Sequence, residues 1–208
     1  MQLRIVGLGD STTAGTPGFL SPLEAPPNGM GNPESQYAYW MMKAHADWRV
    51  LNRGINGQRS DEILARFERD AEQDGPDCVI ILAGVNDVYQ GVPLKSVKNN
   101  LLAMYQKALA AELAVVAATV LPYNTASASE AKAIRDLNSW IKETANRLRV
   151  LFCDTNLAVR NPNDPNGLRS SPDGLHPDVS GYRRMGEALA ETIDNSVKSG
   201  LIKTRKVF

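Results

Sequence analysis

Apolar positions along the chain fall into two alternating patterns. Short compact runs occur at Leu3-Arg4-Ile5-Val6, Trp48 to Asn52, Cys78 to Leu82, Ala114 to Val120 and Val150 to Cys153. The third is apolar throughout, with β-branched Val79, Ile80 and Ile81 at its centre, which predicts a strand buried on both faces. The fourth is likewise apolar apart from Thr119 near its end. Between the runs, apolar residues recur at helical spacing. They are Tyr37, Trp40, Met41 and Ala44; then Ile63, Leu64, Phe67 and Ala71; then Leu94, Val97, Leu101, Met104 and Ala108. Ile134, Leu137, Ile141 and Leu148 mark a fourth helix, and Tyr182, Met185, Leu189, Ile193 and Val197 the closing one. The first of these is expected to open at Pro33-Glu34-Ser35, and the second to be capped by Ser60, with Asp61 and Glu62 favourable in its first turn. Strands alternating with helices predict a parallel sheet covered on both faces.

The pattern breaks in two places. Thr16 to Pro33 is rich in Pro and Gly, and a loop this long directly after the first strand reads as one wall of a pocket (16–33). A second loop, with Pro162, Pro165, Gly167 and Pro172, leads to Asp173-Gly174-Leu175-His176-Pro177. No internal repeat or linker divides the chain, so its 208 residues are expected to form one domain, 1–208.

Composition narrows the function classes. The 23 basic and 23 acidic side chains cancel, which argues against nucleic acid or an acidic membrane as partner. The segment from about 198 to 208 is locally basic and reads as a solvated tail. Cys78 and Cys153 lie in apolar runs and are expected to be buried free thiols. Two cysteines and two histidines so widely spaced make a poor metal site, and no cofactor is expected. Leu113 to Leu121, the longest apolar run and interrupted only by Thr119, is too short to span a bilayer. The N-terminus offers no secretory h-region, which points to the cytoplasm.

In a parallel sheet every strand ends on one side, so polar residues just after different strands become neighbours. Ser11 follows strand one, Gly54 and Asn56 strand two, and Asn86 and Asp87 strand three. Asp173 and His176 lie beyond strand five. Alone, Gly9-Asp10-Ser11-Thr12 reads as a turn with Asp10 or Ser11 capping a helix. Together the four clusters supply what acyl transfer by serine needs. Ser11 brings a hydroxyl and His176 a base, and Asp173 stands three residues before that base and can orient it. Asn86 brings a side-chain amide, and Gly54 a backbone N–H that can approach an oxyanion closely. His45 lies on a helix away from these ends and reads as packing or surface, and Asn56 as a turn residue. Asp10 and Asp87 read as braces of turns.

These residues resemble the SGNH (GDSL-type) hydrolase family, through Gly9-Asp10-Ser11, Gly54, Gly84-Val85-Asn86-Asp87 and Asp173-Gly174-Leu175-His176-Pro177. The resemblance implies a three-layer α/β/α sandwich with a flavodoxin-like five-stranded parallel sheet. It implies Ser11 as nucleophile, His176 as base and Asp173 as its orienter. The oxyanion hole it implies consists of the N–H groups of Ser11 and Gly54 and the Asn86 side chain. Thr12 departs from the aliphatic residue the family often has there.

The expected activity is serine ester hydrolysis of a small-molecule substrate through an acyl-enzyme. Short-chain acyl or acetyl esters are favoured, then acetylated carbohydrates, because no lipid-binding stripe stands out. Phe19, Tyr89 and Tyr123 either line the acyl pocket or pack as core aromatics. Three rivals stand beside this reading: a lysophospholipase or thioesterase, a silent binding module on the same fold, and a phosphoacceptor switch built on Asp10 and Asp87. The last lacks a lysine between Val150 and Leu157. Gly7-Leu8-Gly9 shares two glycines with a dinucleotide fingerprint, but Thr12 stands where the third belongs.

Overall fold

The computed structural model describes residues 2–15, 32–73 and 75–202. Phe19 and most of the expected pocket-wall loop lie outside them, as does the tail beyond Ile202. The five expected strands form one parallel sheet: β1 (Leu3–Gly9), β2 (Trp48–Gly54), β3 (Cys78–Leu82), β4 (Ala114–Ala118) and β5 (Leu151–Cys153). Their order is β2-β1-β3-β4-β5, the flavodoxin-like arrangement, in which the winding direction reverses between β1 and β3. Gly9 pairs with Gly54 on one side and Leu82 on the other, so three strands end level with one another.

Alternation within the strands explains the layers. Val6, Leu8, Val79, Ile81, Val115 and Ala117 belong to one apolar cluster; Leu3, Ile5, Cys78, Ile80, Leu82, Val116 and Ala118 belong to the other. The first is covered by α3 (Ser60–Ala65), α5 (Leu94–Ala110) and α6 (Ala128–Leu148), which contribute Ile63, Leu101, Met104 and Leu137. The second is covered by α2 (Tyr37–Ala44) and α8 (Val179–Lys198), with Tyr37, Met41, Tyr182, Met185 and Leu189. Both clusters are fully buried, hence the continuous apolar runs of β3 and β4. Cys78 and Cys153 are buried and free. Among the described residues no helix is long and apolar enough to cross a membrane.

The elements differ from expectation at several ends. Pro33–Ser35 is a separate 3₁₀ turn capped by the Asn32 side chain, and α2 starts only at Tyr37 because Gln36 is extended. Ser60 does not cap α3; the N-cap position is Arg59, and the Ser60 hydroxyl donates instead to Asp87 Oδ1 at 2.6 Å. A π-helical turn (Glu68–Glu72) follows α3. Short helices α4 (Val85–Tyr89) and α7 (Thr155–Val159) follow β3 and β5. The Pro-rich loop after β5 contains an antiparallel hairpin, β6 (Arg160–Asn161) with β7 (Asp164–Leu168). Pro165 is tolerated there because a two-stranded ribbon is all edge. His45 stacks on Trp48, with ring centroids 3.9 Å apart.

Candidate active site

The site is assembled at the level ends of β1, β2 and β3. The chain turns after Gly9 into the one-turn helix α1 (Ser11–Ala14). Its cap is Asp10 rather than Ser11: Oδ1 of Asp10 accepts from the Thr12 N–H at 2.9 Å, and its carbonyl accepts from Thr13 and Ala14. Ser11 is thereby freed from capping and occupies the first helical position, where a backbone N–H has no intrahelical partner.

Ser11 Oγ lies 2.8 Å from His176 Nε2, across 165 residues of chain. His176 Nδ1 lies 2.7 Å from Asp173 Oδ2. The other oxygen of Asp173 accepts from the backbone N–H groups of His176 (2.8 Å) and Leu175 (2.9 Å) and from the Ser171 hydroxyl (3.2 Å). Partial burial works to raise the Asp173 pKa, but these hydrogen bonds outweigh it and hold the carboxyl down at about 2. An ionised carboxylate only accepts, so the ring must carry its proton on Nδ1. In the neutral imidazole Nε2 is then an acceptor, and the Ser11 hydroxyl must be the donor. The geometry thus fixes the direction in which a proton can leave Ser11. Both side chains are buried (Ser11 6%, His176 7% exposed), so little water competes for that bond.

Asn86 stands near the start of α4. Its Nδ2 donates to the Gln58 carbonyl at 2.9 Å, which fixes the amide and leaves one N–H to aim elsewhere. Asp87, next to it, is fully buried and accepts from both the N–H (2.8 Å) and the hydroxyl (2.6 Å) of Ser60. Burial raises its pKa and the Ser60 bonds oppose the rise. Asp10 is also buried and is pushed up to about 7, mainly by desolvation, with Asp87 adding to the rise. Both acids brace turns, in line with their sequence reading.

Gly54 is placed differently from its expected role. Its N–H donates to Asn52 Oδ1 at 2.9 Å, and so is occupied within its own strand end. What requires glycine there is packing: a Cβ would lie 2.1 Å from the Ala14 backbone nitrogen. Gly57, in the turn that follows, has φ +77° and open space where a Cβ would be. It adjoins Gln58, whose carbonyl holds Asn86.

Arg66 ties these turns together from below. Its guanidinium donates to the Gly9 carbonyl (2.8 Å), the Arg53 carbonyl (2.9 Å), Gln58 Oε1 (2.7 Å) and Asp70 Oδ2 (2.7 Å). Of the expected pocket aromatics, Tyr89 is 60% exposed and meets buried Tyr123 edge to face at 6.0 Å between ring centroids. No cluster of metal-ligating side chains occurs among the described residues.

Comparison with known proteins bears on this arrangement. The model of the GDSL-like Lipase/Acylhydrolase family matches residues 8–184. A curated acetylxylan esterase from Geobacillus stearothermophilus is 28% identical over 159 residues, which is 70% of this chain and 72% of that protein. Among solved structures, a GDSL-like lipase from Bacteroides thetaiotaomicron superposes with a TM-score of 0.74 at 24% identity, covering 93% of this chain and 88% of that one. An acetylxylan esterase structure from Geobacillus stearothermophilus gives 0.70 at 22% identity, over 92% and 94%. At these identities the structural likeness concerns the fold.

Proposed function

Because the chain belongs to the GDSL-like lipase/acylhydrolase family and is a carboxylic ester hydrolase, we propose that it cleaves short acyl or acetyl esters by serine nucleophilic catalysis. The observation that carries this reading is the continuous chain Ser11 Oγ, His176 Nε2, His176 Nδ1, Asp173 Oδ2, with links of 2.8 and 2.7 Å.

Ser11 Oγ attacks the ester carbonyl carbon while its proton passes to His176 Nε2. The imidazolium so formed is stabilised by the Asp173 carboxylate, which stays ionised. The tetrahedral intermediate carries its negative charge on the former carbonyl oxygen. Donors for it are the Ser11 N–H and the second Nδ2 hydrogen of Asn86. Collapse expels the alcohol, which takes the proton from Nε2. Water then enters by the same route, giving its proton to Nε2 as its oxygen bonds to the acyl carbon. Collapse of this second intermediate releases the acid and returns the proton to Ser11.

The relative named as an acetylxylan esterase supports a small acyl group on a carbohydrate alcohol. A series of p-nitrophenyl esters tests the reading. The expected result is kcat/KM highest from acetate to butyrate and falling with longer chains. A rise toward long chains would favour the lysophospholipase or thioesterase reading, and no turnover of any ester would contradict catalysis by this site.

A further inference from the structure

The segment 55–59, between β2 and α3, is only weakly fixed by its own backbone. Gly57 is exposed, with φ +77° and nothing within 4 Å of where a Cβ would stand. The Gln58 N–H reaches the Ile55 carbonyl only at 3.4 Å. Yet the Gln58 carbonyl is what anchors Asn86 Nδ2, at 2.9 Å. The firm contacts on this segment come from α3 and from Arg66, the residue that ends it. The Arg59 N–H donates to Glu62 Oε2 at 2.9 Å, which holds the Gln58–Arg59 peptide on its exposed side. On the inner side, Arg66 Nε donates to Gln58 Oε1 at 2.7 Å.

Resting on the proposed mechanism, in which Asn86 is an oxyanion donor, we infer that Gln58 and Arg66 are positioning residues for that donor. They act through the Asn86 amide rather than on the substrate. The guanidinium is planar, and its donors diverge at fixed angles. While Nε grips Gln58, Nη2 donates to the Gly9 carbonyl at 2.8 Å, two residues before Ser11, and Nη1 to the Arg53 carbonyl at 2.9 Å. One rigid group thus sets the Gln58 side chain relative to the strand end from which the Ser11 N–H follows. An amide anchored through one N–H has its other N–H fixed in the same plane, so the aim of the free Asn86 hydrogen follows the Gln58 carbonyl. An oxyanion donor is effective when it is already aimed as the charge develops.

The body of α4 is held separately. Asp87 accepts from the N–H (2.8 Å) and hydroxyl (2.6 Å) of Ser60, and Asn100 Nδ2 donates to that hydroxyl at 3.0 Å. Arg59 Nη1 reaches Gln90 Oε1, just past the helix, at 3.2 Å. None of these bonds involves the Gln58 side chain. Releasing Gln58 from Arg66 therefore disturbs the aim of the Asn86 amide while α4 stays in place.

Gln58→Met keeps the length of the side chain and removes the acceptor for Arg66. Steady-state hydrolysis of p-nitrophenyl acetate is measured for the wild type, Gln58→Met, Asn86→Ala and the double variant, each below its thermal transition. Gln58→Met is expected to lower kcat about tenfold with KM unchanged, a fraction of the ~10²–10³ that follows loss of a whole donor. In the Asn86→Ala background the same substitution should change kcat by less than about twofold, since no amide remains to be aimed. A substitution that merely loosened the fold would act on Ser11 as well, and its effect would persist in that background. An unchanged kcat in Gln58→Met, a rise in KM alone, or an equal loss in both backgrounds overturns the inference and leaves the esterase reading standing. No cleavage by the wild type would instead overturn the esterase reading, and this inference with it.

Discussion

At the scale of residues, the arrangement turns on which atom carries which proton. Asp173 is an ionised acceptor and imposes the Nδ1–H tautomer on His176. Asp173→Asn keeps an oxygen for the Leu175 and His176 N–H groups but can present an amide donor to Nδ1. That would place the ring proton on Nε2, facing Ser11. We expect kcat to fall by about 10³–10⁴ with little change in thermal stability, as for the corresponding change in serine protease triads; near-normal kcat would show that the tautomer is not limiting. Asn86→Ala should lower kcat by ~10²–10³ while KM changes little, because its amide would act on charge that exists only in the transition state. Steady-state kinetics separates the two parameters, and a rise in KM alone would place Asn86 in ground-state binding. The meeting of Ser11, Asp173 and His176 was legible in the sequence because Ser11 follows a run that could only be a buried strand and the other two lie in the loop beyond one. The bond of the Gly54 N–H to Asn52 was not legible that way, because it depends on how the end of β2 folds back on its own side chain.

At the scale of elements, the question is what holds four turns in register. Arg66 bonds to two strand-end carbonyls, Gln58 and Asp70, and its removal would take a donor from each, although Gly9 keeps the Ile55 N–H and Asp70 keeps Arg69. Arg66→Met should destabilise the protein by about 1–3 kcal/mol, the cost of taking a donor from buried acceptors while Asp70 stays paired with Arg69. Urea unfolding checks this, and a loss below 1 kcal/mol would mean the turns hold themselves. Asp10 gives a pH signature. Its folded pKa, about 7, is above the ordinary carboxyl value, so the folded state holds more protons than the unfolded one between roughly pH 4 and 7. Stability therefore declines as pH rises through that window. Asp10→Asn retains the capping oxygen for Thr12 and removes the ionisation, so this part of the slope should vanish. The variant should gain roughly 2–4 kcal/mol over wild type above pH 7. Parallel denaturation curves at pH 5 and 8 measure it; identical slopes in the two proteins would contradict it. The caps themselves were only half legible. Asp10 and Ser11 are equally good cap residues in isolation, and the choice is made by His176, which claims the serine from the far end of the chain. The β6–β7 hairpin was hidden for a different reason. Short strands containing proline carry no periodicity, and their bonding depends on Asn and Asp turns.

At the scale of the whole molecule, a sheet covered on both faces is what makes the site rigid. Adjacent residues Ile80 and Ile81 enter opposite cores and are both fully buried. Ile80→Ala and Ile81→Ala should each cost about 2–5 kcal/mol, whereas a sheet with one solvated face would lose little from one of them. Thermal or chemical unfolding of the pair decides between these outcomes. This layered plan was readable from alternation of runs and helical stripes, since no other packing hides β3 and β4 completely. It brings Ser11 to His176 across 165 residues, and the proposed chemistry depends on that meeting. The most direct measurement is reaction with a p-nitrophenyl alkylphosphonate, followed by intact mass and peptide mapping. The account predicts one adduct per chain, located on Ser11, absent from Ser11→Ala and formed far more slowly in His176→Ala. An adduct on any other residue, or labelling that persists in Ser11→Ala, would contradict it.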